Sequence, residues 1–167
     1  MTLLLVSILT FTSCHSVSPD ADEEAVIVKK PWFIGHGGVE PDAVPTGLTW
    51  CWWSTHGYYF KIVPVRHEIA MDDLFSDDNT PLDFHTVIIT QIERGKSPIL
   101  LQNYGEDWFN TNINNYFCNL VRDHISQHSP FDLMSNRAVL NDIDTKIRQQ
   151  MQNYIAQLSK KKEMPVI

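Results

Sequence analysis

Residues 82–92 read Leu-Asp-Phe-His-Thr-Val-Ile-Ile-Thr-Gln-Ile and form the longest strand candidate in the chain. The even-numbered positions from Leu82 to Ile92 would lie on one face and the odd-numbered positions on the other, because side chains alternate along a strand. A turn-forming segment at residues 77–81, Asp-Asp-Asn-Thr-Pro, precedes this stretch,. The pattern predicts a long, central β-strand.

Shorter segments upstream also have the composition of strands. Residues 25–28 are Ala-Val-Ile-Val, a mostly β-branched run that ends before a proline,. Residues 48–53 and 58–65 are rich in aromatic and β-branched side chains, and the Ser-Thr-His-Gly between them has the length and composition of a hairpin turn,. The pattern therefore predicts an antiparallel hairpin, followed by extended chain through residues 66–71.

From Trp108 onward the spacing of the apolar residues changes to three and four, which is the period of an amphipathic helix. This helix is expected to end near Pro130, and Ser135 is a good N-cap for a second helix that runs to about Lys160. The apolar positions of the first helix are Phe109, Ile113, Tyr116, Phe117, Leu120, Val121 and Ile125. Strands first and helices afterwards predict an α+β fold, with a small, mostly antiparallel sheet followed by two packed amphipathic helices.

Composition and charge restrict the class of protein. The 167 residues fit one domain, and 43% hydrophobic with 20% charged residues is typical of a folded, globular chain,. The net charge of −7 repels phosphate backbones, so nucleic acid is not expected as a partner,.

The start of the chain has the pattern of an export signal. Residues 3–11 are almost wholly apolar, too short to cross a bilayer but long enough for a signal-peptide core,. Residues 11–14, Phe-Thr-Ser-Cys, resemble the bacterial lipobox, whose cysteine is acylated and becomes the mature N-terminus. We therefore expect a signal peptide over residues 1–14, a lipid anchor on Cys14, a polar tether over residues 15–24 and a folded domain over residues 25–167. A truncated transmembrane helix and a plain secretory signal with an incidental cysteine stay open as alternatives.

The histidines and cysteines do not form a recognisable catalytic or metal-binding pattern. His124 and His128 are four residues apart, but no third ligand completes a zinc motif,. A disulfide between Cys51 and Cys118 stays an open alternative. A cysteine nucleophile would need a general base, and the sequence places none beside either thiol. No catalytic residue, metal ligand or cofactor is predicted.

Tryptophan is concentrated at residues 50–53, Trp-Cys-Trp-Trp. Alternation in a strand places Trp50 and Trp52 on one face and Trp53 on the other. Core packing would account for one face, and contact with lipid headgroups or a partner protein for the other, because indole combines an apolar ring with a polar N–H. Trp50, Trp52 and Trp53 are therefore the candidate contact residues.

The order of several short segments resembles the SPFH or band 7 domain of stomatins, prohibitins and flotillins. The upstream segments are Ala-Val-Ile-Val at residues 25–28, Pro-Thr-Gly-Leu at residues 45–48 and Asp-Asn-Thr-Pro-Leu-Asp-Phe at residues 78–84. The helical segments are Leu-Val-Arg at residues 120–122 and Ser-Asn-Arg at residues 135–137. The resemblance implies a strongly bent sheet with packed helices and no catalytic residue.

The resemblance also implies a function. Family members are membrane-associated subunits that form rings or large oligomers around membrane proteins or proteases. We therefore expect a homo-oligomeric scaffold that is lipid-anchored through Cys14 on the periplasmic side of a bacterial membrane, with a membrane protein or protease as client. In relatives a strand and a coiled coil follow the domain, so this chain is expected to be a minimal version or a fragment. The alternatives are a monomeric periplasmic adaptor or ligand-binding lipoprotein, and an enzyme with a cysteine nucleophile.

Overall fold

The computed structural model describes residues 14–31, 35–52 and 54–167. The predicted signal peptide, apart from Cys14, and the predicted contact residue Trp53 lie outside the described residues. The chain divides into two compact units. The first contains the chain up to Pro64 together with Gln91–Gln102 and Pro165–Ile167, and the second contains Val65–Thr90 and Asn103–Met164.

Strands precede helices along the described chain, which confirms the predicted α+β class. The strands are β1 (Cys14–Val17), β2 (Glu23–Lys29), β3 (Gly38–Val39), β4 (Thr49–Trp52), β5 (Thr55–Lys61), β6 (Val65–Phe75) and β7 (Pro81–Thr90). The helices are α1 (Ser97–Tyr104), a π-helical segment (Phe109–Asn114), α2 (Asn115–Ile125), α3 (Pro130–Ser135) and α4 (Arg137–Lys161). The predicted strand at residues 25–28 corresponds to β2, and the predicted long strand to β7.

All strand pairs are antiparallel, and the strands of the described residues form three separate sheets. In the first unit, β1 pairs with β4, and β2 lies between β3 and β5. In the second unit, β6 pairs with β7 alone. The prediction that residues 82–92 form a central strand is therefore wrong for the described part of the chain, since β7 has one neighbour.

The predicted hairpin between residues 48–53 and 58–65 is also wrong. β4 and β5 follow each other closely but belong to different ladders, because the chain turns a corner between them. At this corner the Thr55 hydroxyl donates a hydrogen bond to the Trp52 carbonyl oxygen at 2.6 Å, and the Lys30 N–H donates to the Ser54 carbonyl oxygen at 3.0 Å. The second bond joins the corner to the residue that follows β2, the strand with which β5 pairs.

The segment predicted to be a polar tether, residues 15–24, contributes to the folded body. Val17 in β1 is completely buried, and it packs so closely on Gly57 of β5 that a Cβ on Gly57 would lie 3.0 Å from Val17 Cγ2. Glu24 in β2 is also buried. The sequence prediction missed this because a four-residue strand with one buried valine has too little periodicity to be recognised,.

The core of the second unit lies between the β6–β7 ribbon and the helices. Alternate residues of β7 are half-buried and exposed, which is the pattern predicted for a strand with one covered face,. The buried residues of this core are Met71, Leu74, Phe117, Val121, Ile125, Leu133 and Ile143. The core buries apolar positions from both predicted amphipathic helices, as their three-and-four spacing requires.

The helix boundaries differ from the prediction in two places. α4 begins after Asn136, whose Oδ1 accepts a hydrogen bond from the Ala138 N–H at 3.1 Å, while the Ser135 hydroxyl donates to the Phe131 carbonyl oxygen inside α3. Asn136, and not Ser135, is therefore the N-cap. In addition, α1 was not predicted, although Ser-Pro at residues 97–98 is a common helix start,.

Candidate functional site

The clearest candidate for a contact surface is the β1–β4 pair, which we name the tryptophan ribbon after Trp50 and Trp52. The exposed fraction is 69% for Trp50 and 78% for Trp52, and Leu48 just before β4 is also exposed. Along β4 half-buried and exposed residues alternate, so both indoles lie on one face, as the alternation predicted, and that face is the exposed one,. Large apolar side chains left in water at neighbouring positions indicate a contact with a membrane or another protein.

The register of the tryptophan ribbon brings the predicted lipid anchor to the same place. Cys14 is the backbone partner of Trp52, and Ser16 is the partner of Trp50. Directly paired residues of an antiparallel ladder have Cα atoms about 5 Å apart. The predicted acylation point and the two exposed tryptophans therefore lie together in the fold, although they are far apart in the sequence.

A cationic residue lies at the end of the tryptophan ribbon. The backbone of Lys30 is hydrogen-bonded to Ser54 at the corner that follows Trp52. Lys30 is exposed and has no acidic partner among the residues that the structure describes, whereas Lys29 forms an ion pair with Glu40. Lysine and tryptophan side chains both occur where proteins meet lipid headgroups.

In the described part of the chain, the histidine, cysteine and acidic side chains are not grouped into a site. No group of three or more His, Cys, Asp or Glu side chains is arranged to hold a metal ion there. Cys51 and Cys118 are free thiols. Burial raises the pKa of the Cys118 thiol, and its Sγ contacts Asn114 Oδ1 at 3.5 Å. A raised pKa leaves less of the thiolate that a nucleophile needs.

His124 and His128, the two histidines four residues apart, each make a hydrogen bond within the second unit. The His124 ring is hydrogen-bonded to the Gln150 side chain at 3.2 Å, which links α2 to α4. The carbonyl oxygen of His128 accepts a hydrogen bond from the Asp77 N–H at 3.3 Å. Neither contact joins the two histidine rings.

One surface was missed by the sequence prediction. The open face of the β6–β7 ribbon carries two exposed apolar residues, Val87 and Ile89, beside a cavity of about 390 Å³ lined by residues of both strands. The alternation in residues 82–92 put Val87 and Ile89 on one face of the strand but did not show which face packs on the core. What the sequence did not show is that this strand has only one neighbour in the described chain.

Comparison with known families decides the classification. The family model described as SPFH domain / Band 7 family matches residues 21–162, which is most of the chain. The chain belongs to the SPFH domain / Band 7 family. No curated protein matched the chain individually.

Membership of the SPFH family suggests the general type of function. The family is generally membrane-associated and non-catalytic, and it suggests a function of the membrane-scaffold type. Among the described residues, no helix is both long and apolar enough to cross a bilayer.

Proposed function

We propose that this SPFH protein is a non-catalytic scaffold that is held at the periplasmic face of a bacterial membrane and assembles with copies of itself. Acylated Cys14 would supply the lipid anchor, and the tryptophan ribbon would rest on the bilayer interface. A membrane protein or a protease would be the client. The observation that carries the proposal is the pairing of Cys14 with Trp52 on a ribbon whose two indoles are exposed.

The two attachments would reinforce each other. A lipobox cysteine is diacylated, and two acyl chains give stable anchoring where one gives only marginal binding. Indole rings favour the interface between headgroups and acyl chains, and Lys30 would approach the lipid phosphates. Because the anchor point and Trp52 are paired across the ladder, both could engage one patch of membrane without rearrangement of the fold.

Binding to vesicles tests the membrane contact. Wild-type protein and a Trp50→Ser/Trp52→Ser variant would be mixed with vesicles containing brominated lipids, and both flotation and quenching of tryptophan fluorescence would be measured. We expect the double variant to bind about tenfold more weakly, since a loss of about 1.4 kcal/mol corresponds to a factor of ten. Met134→Ser is the matched control, because Met134 is an exposed apolar residue of the second unit.

Equal flotation of the wild type and the double variant would contradict the role of the indoles. Mass spectrometry of the membrane-extracted protein tests the anchor separately, since it shows whether the mature chain begins at an acylated Cys14. An unmodified, soluble chain would contradict the anchor.

The size of the extracted protein distinguishes the scaffold from a monomeric adaptor or ligand-binding lipoprotein. A scaffold should form large assemblies whose size depends on concentration, whereas an adaptor should stay a single subunit. Crosslinking in membranes, followed by mass spectrometry, would identify the client.

A further inference from the structure

β7 has an edge without a strand partner in the described part of the chain. Its only ladder there is with β6, so one row of backbone N–H and C=O groups faces away from that ladder. Residues 85–90, His-Thr-Val-Ile-Ile-Thr, contain no Asp, Glu, Lys, Arg or Pro. An uncharged, β-branched edge strand is a template for pairing with another strand.

The other strand of the same ribbon has the features that block such pairing. β6 carries Arg66 and Glu68 on its exposed face, where they form an ion pair at 3.2 Å. Its register shifts between Met71 and Leu74, which indicates a bulge. Charges and bulges are the usual means by which edge strands avoid association, and β7 has neither between His85 and Thr90.

We propose that the edge of β7 pairs with β7 of a second copy, antiparallel and centred on Ile88, so that two ribbons join into one four-stranded sheet. This inference rests on the proposed scaffold function, because it names the surface through which copies would associate. A two-fold axis at Ile88 places Val87 of each copy opposite Ile89 of the other. The exposed fractions of these side chains are 42% and 64%, and the pairing would cover both.

A second copy is the occupant because a two-fold axis at Ile88 pairs only uncharged, β-branched residues of the two chains over residues 86–90, so no charge is left opposite an apolar side chain,. Cross-strand β-branched pairs stabilise antiparallel ladders. A contact of one short strand segment on each chain is small, so it would be weak in free solution. Attachment to a membrane would raise the effective concentration of the copies and favour the contact there.

Charge substitutions at the two apolar positions test the register. In Val87→Lys/Ile89→Lys, the proposed pairing would place lysine opposite lysine. In Val87→Lys/Ile89→Glu, the same pairing would place lysine opposite glutamate in both directions. Ala70→Lys is the matched control, because Ala70 is exposed on the same face but lies on β6. Circular dichroism would first establish that each variant is folded.

Sedimentation in detergent and crosslinking on vesicles would measure the association. We expect the double-lysine variant to need about tenfold more protein for half-association, equivalent to about 1.4 kcal/mol. The lysine–glutamate variant and the Ala70→Lys control should associate like the wild type.

The outcomes separate the inference from the scaffold proposal. If the wild type assembles and the double-lysine variant assembles equally well, the β7 pairing is overturned while the scaffold stands. If the lysine–glutamate variant fails like the double-lysine variant, the register centred on Ile88 is overturned. If the wild type stays a single subunit in detergent and on vesicles at every concentration, both proposals fall.

Discussion

The tryptophan ribbon and the β6–β7 ribbon are both antiparallel pairs, but they place their apolar side chains differently. In the β6–β7 ribbon, Ile69, Leu82, Phe84 and Ile88 pack against the helical core of the second unit. In the tryptophan ribbon, the two indoles of β4 are exposed to solvent. Apolar burial stabilises the fold in the first case, whereas the indoles remain free to contact something outside the chain.

The largest expected effect is the difference in unfolding free energy between a substitution in the core and a substitution of an exposed indole. Leu74, at the end of β6, is 1% exposed and belongs to the core of the second unit. Leu74→Ala should lower the free energy of unfolding by about 2–5 kcal/mol, because it removes buried methyl groups and leaves a cavity. Trp52→Ala should change it by about 0.5 kcal/mol or less, as expected for a surface position. Urea unfolding of both variants measures the difference, and equal losses would contradict the comparison.

A buried polar contact provides the next test, in the first unit. Glu24 is 3% exposed, and its carboxylate accepts hydrogen bonds from the Gly95 N–H at 2.8 Å and the Ser97 N–H at 3.2 Å. Glu24→Ala would leave both donors without this acceptor and should cost about 1–3 kcal/mol in unfolding free energy. Glu24→Gln is the comparison variant: its single amide oxygen can accept from one of the two donors while its NH2 faces the other, so its loss should be smaller than that of Glu24→Ala,. A loss as large in Glu24→Gln as in Glu24→Ala would contradict the hydrogen-bond explanation.

The cap of α4 should have a smaller effect. Asn136→Ala removes the acceptor for the Ala138 N–H and should lower the unfolding free energy by about 1 kcal/mol,. Ser135→Ala is the matched control, because the Ser135 hydroxyl bonds to the Phe131 carbonyl oxygen and caps nothing in α4. Thermal unfolding followed by circular dichroism would measure both. A larger loss for Ser135→Ala would restore the cap assignment made from the sequence.

The sequence correctly predicted the strand and the helix whose apolar residues recur at a regular spacing. The alternation in residues 82–92 identified β7, and the three-and-four spacing after Trp108 identified α2 and its apolar face. The order of strands before helices then indicated the fold class. Each of these signals extends over about ten residues or more, so a single exception does not hide it.

The sequence could not predict which strands become neighbours. The hairpin expected at residues 54–57 does not form, because β5 pairs with β2, which lies far away in the sequence. The pairing of Cys14 with Trp52 depends on the same kind of long-range arrangement. The contact residues Trp50 and Trp52 were predicted from their composition, but their position beside the predicted anchor required the structure.

The smallest expected effect is a pH dependence within the second unit. The His67 ring stacks on Phe109 with centroids 3.6 Å apart, and its Nε2 lies 3.0 Å from the Thr90 hydroxyl oxygen. Partial burial lowers the pKa of His67 below its ordinary value of 6.5.

The unfolded chain therefore takes up the proton first, so this contribution to stability is present above about pH 6.5 and is lost as the pH falls toward the lower folded pKa. Between about pH 7.5 and about pH 5, His67→Phe should lose less unfolding free energy than the wild type, because phenylalanine can keep the stack but cannot be protonated. An identical decline of the two unfolding free energies between these pH values would show that His67 does not contribute.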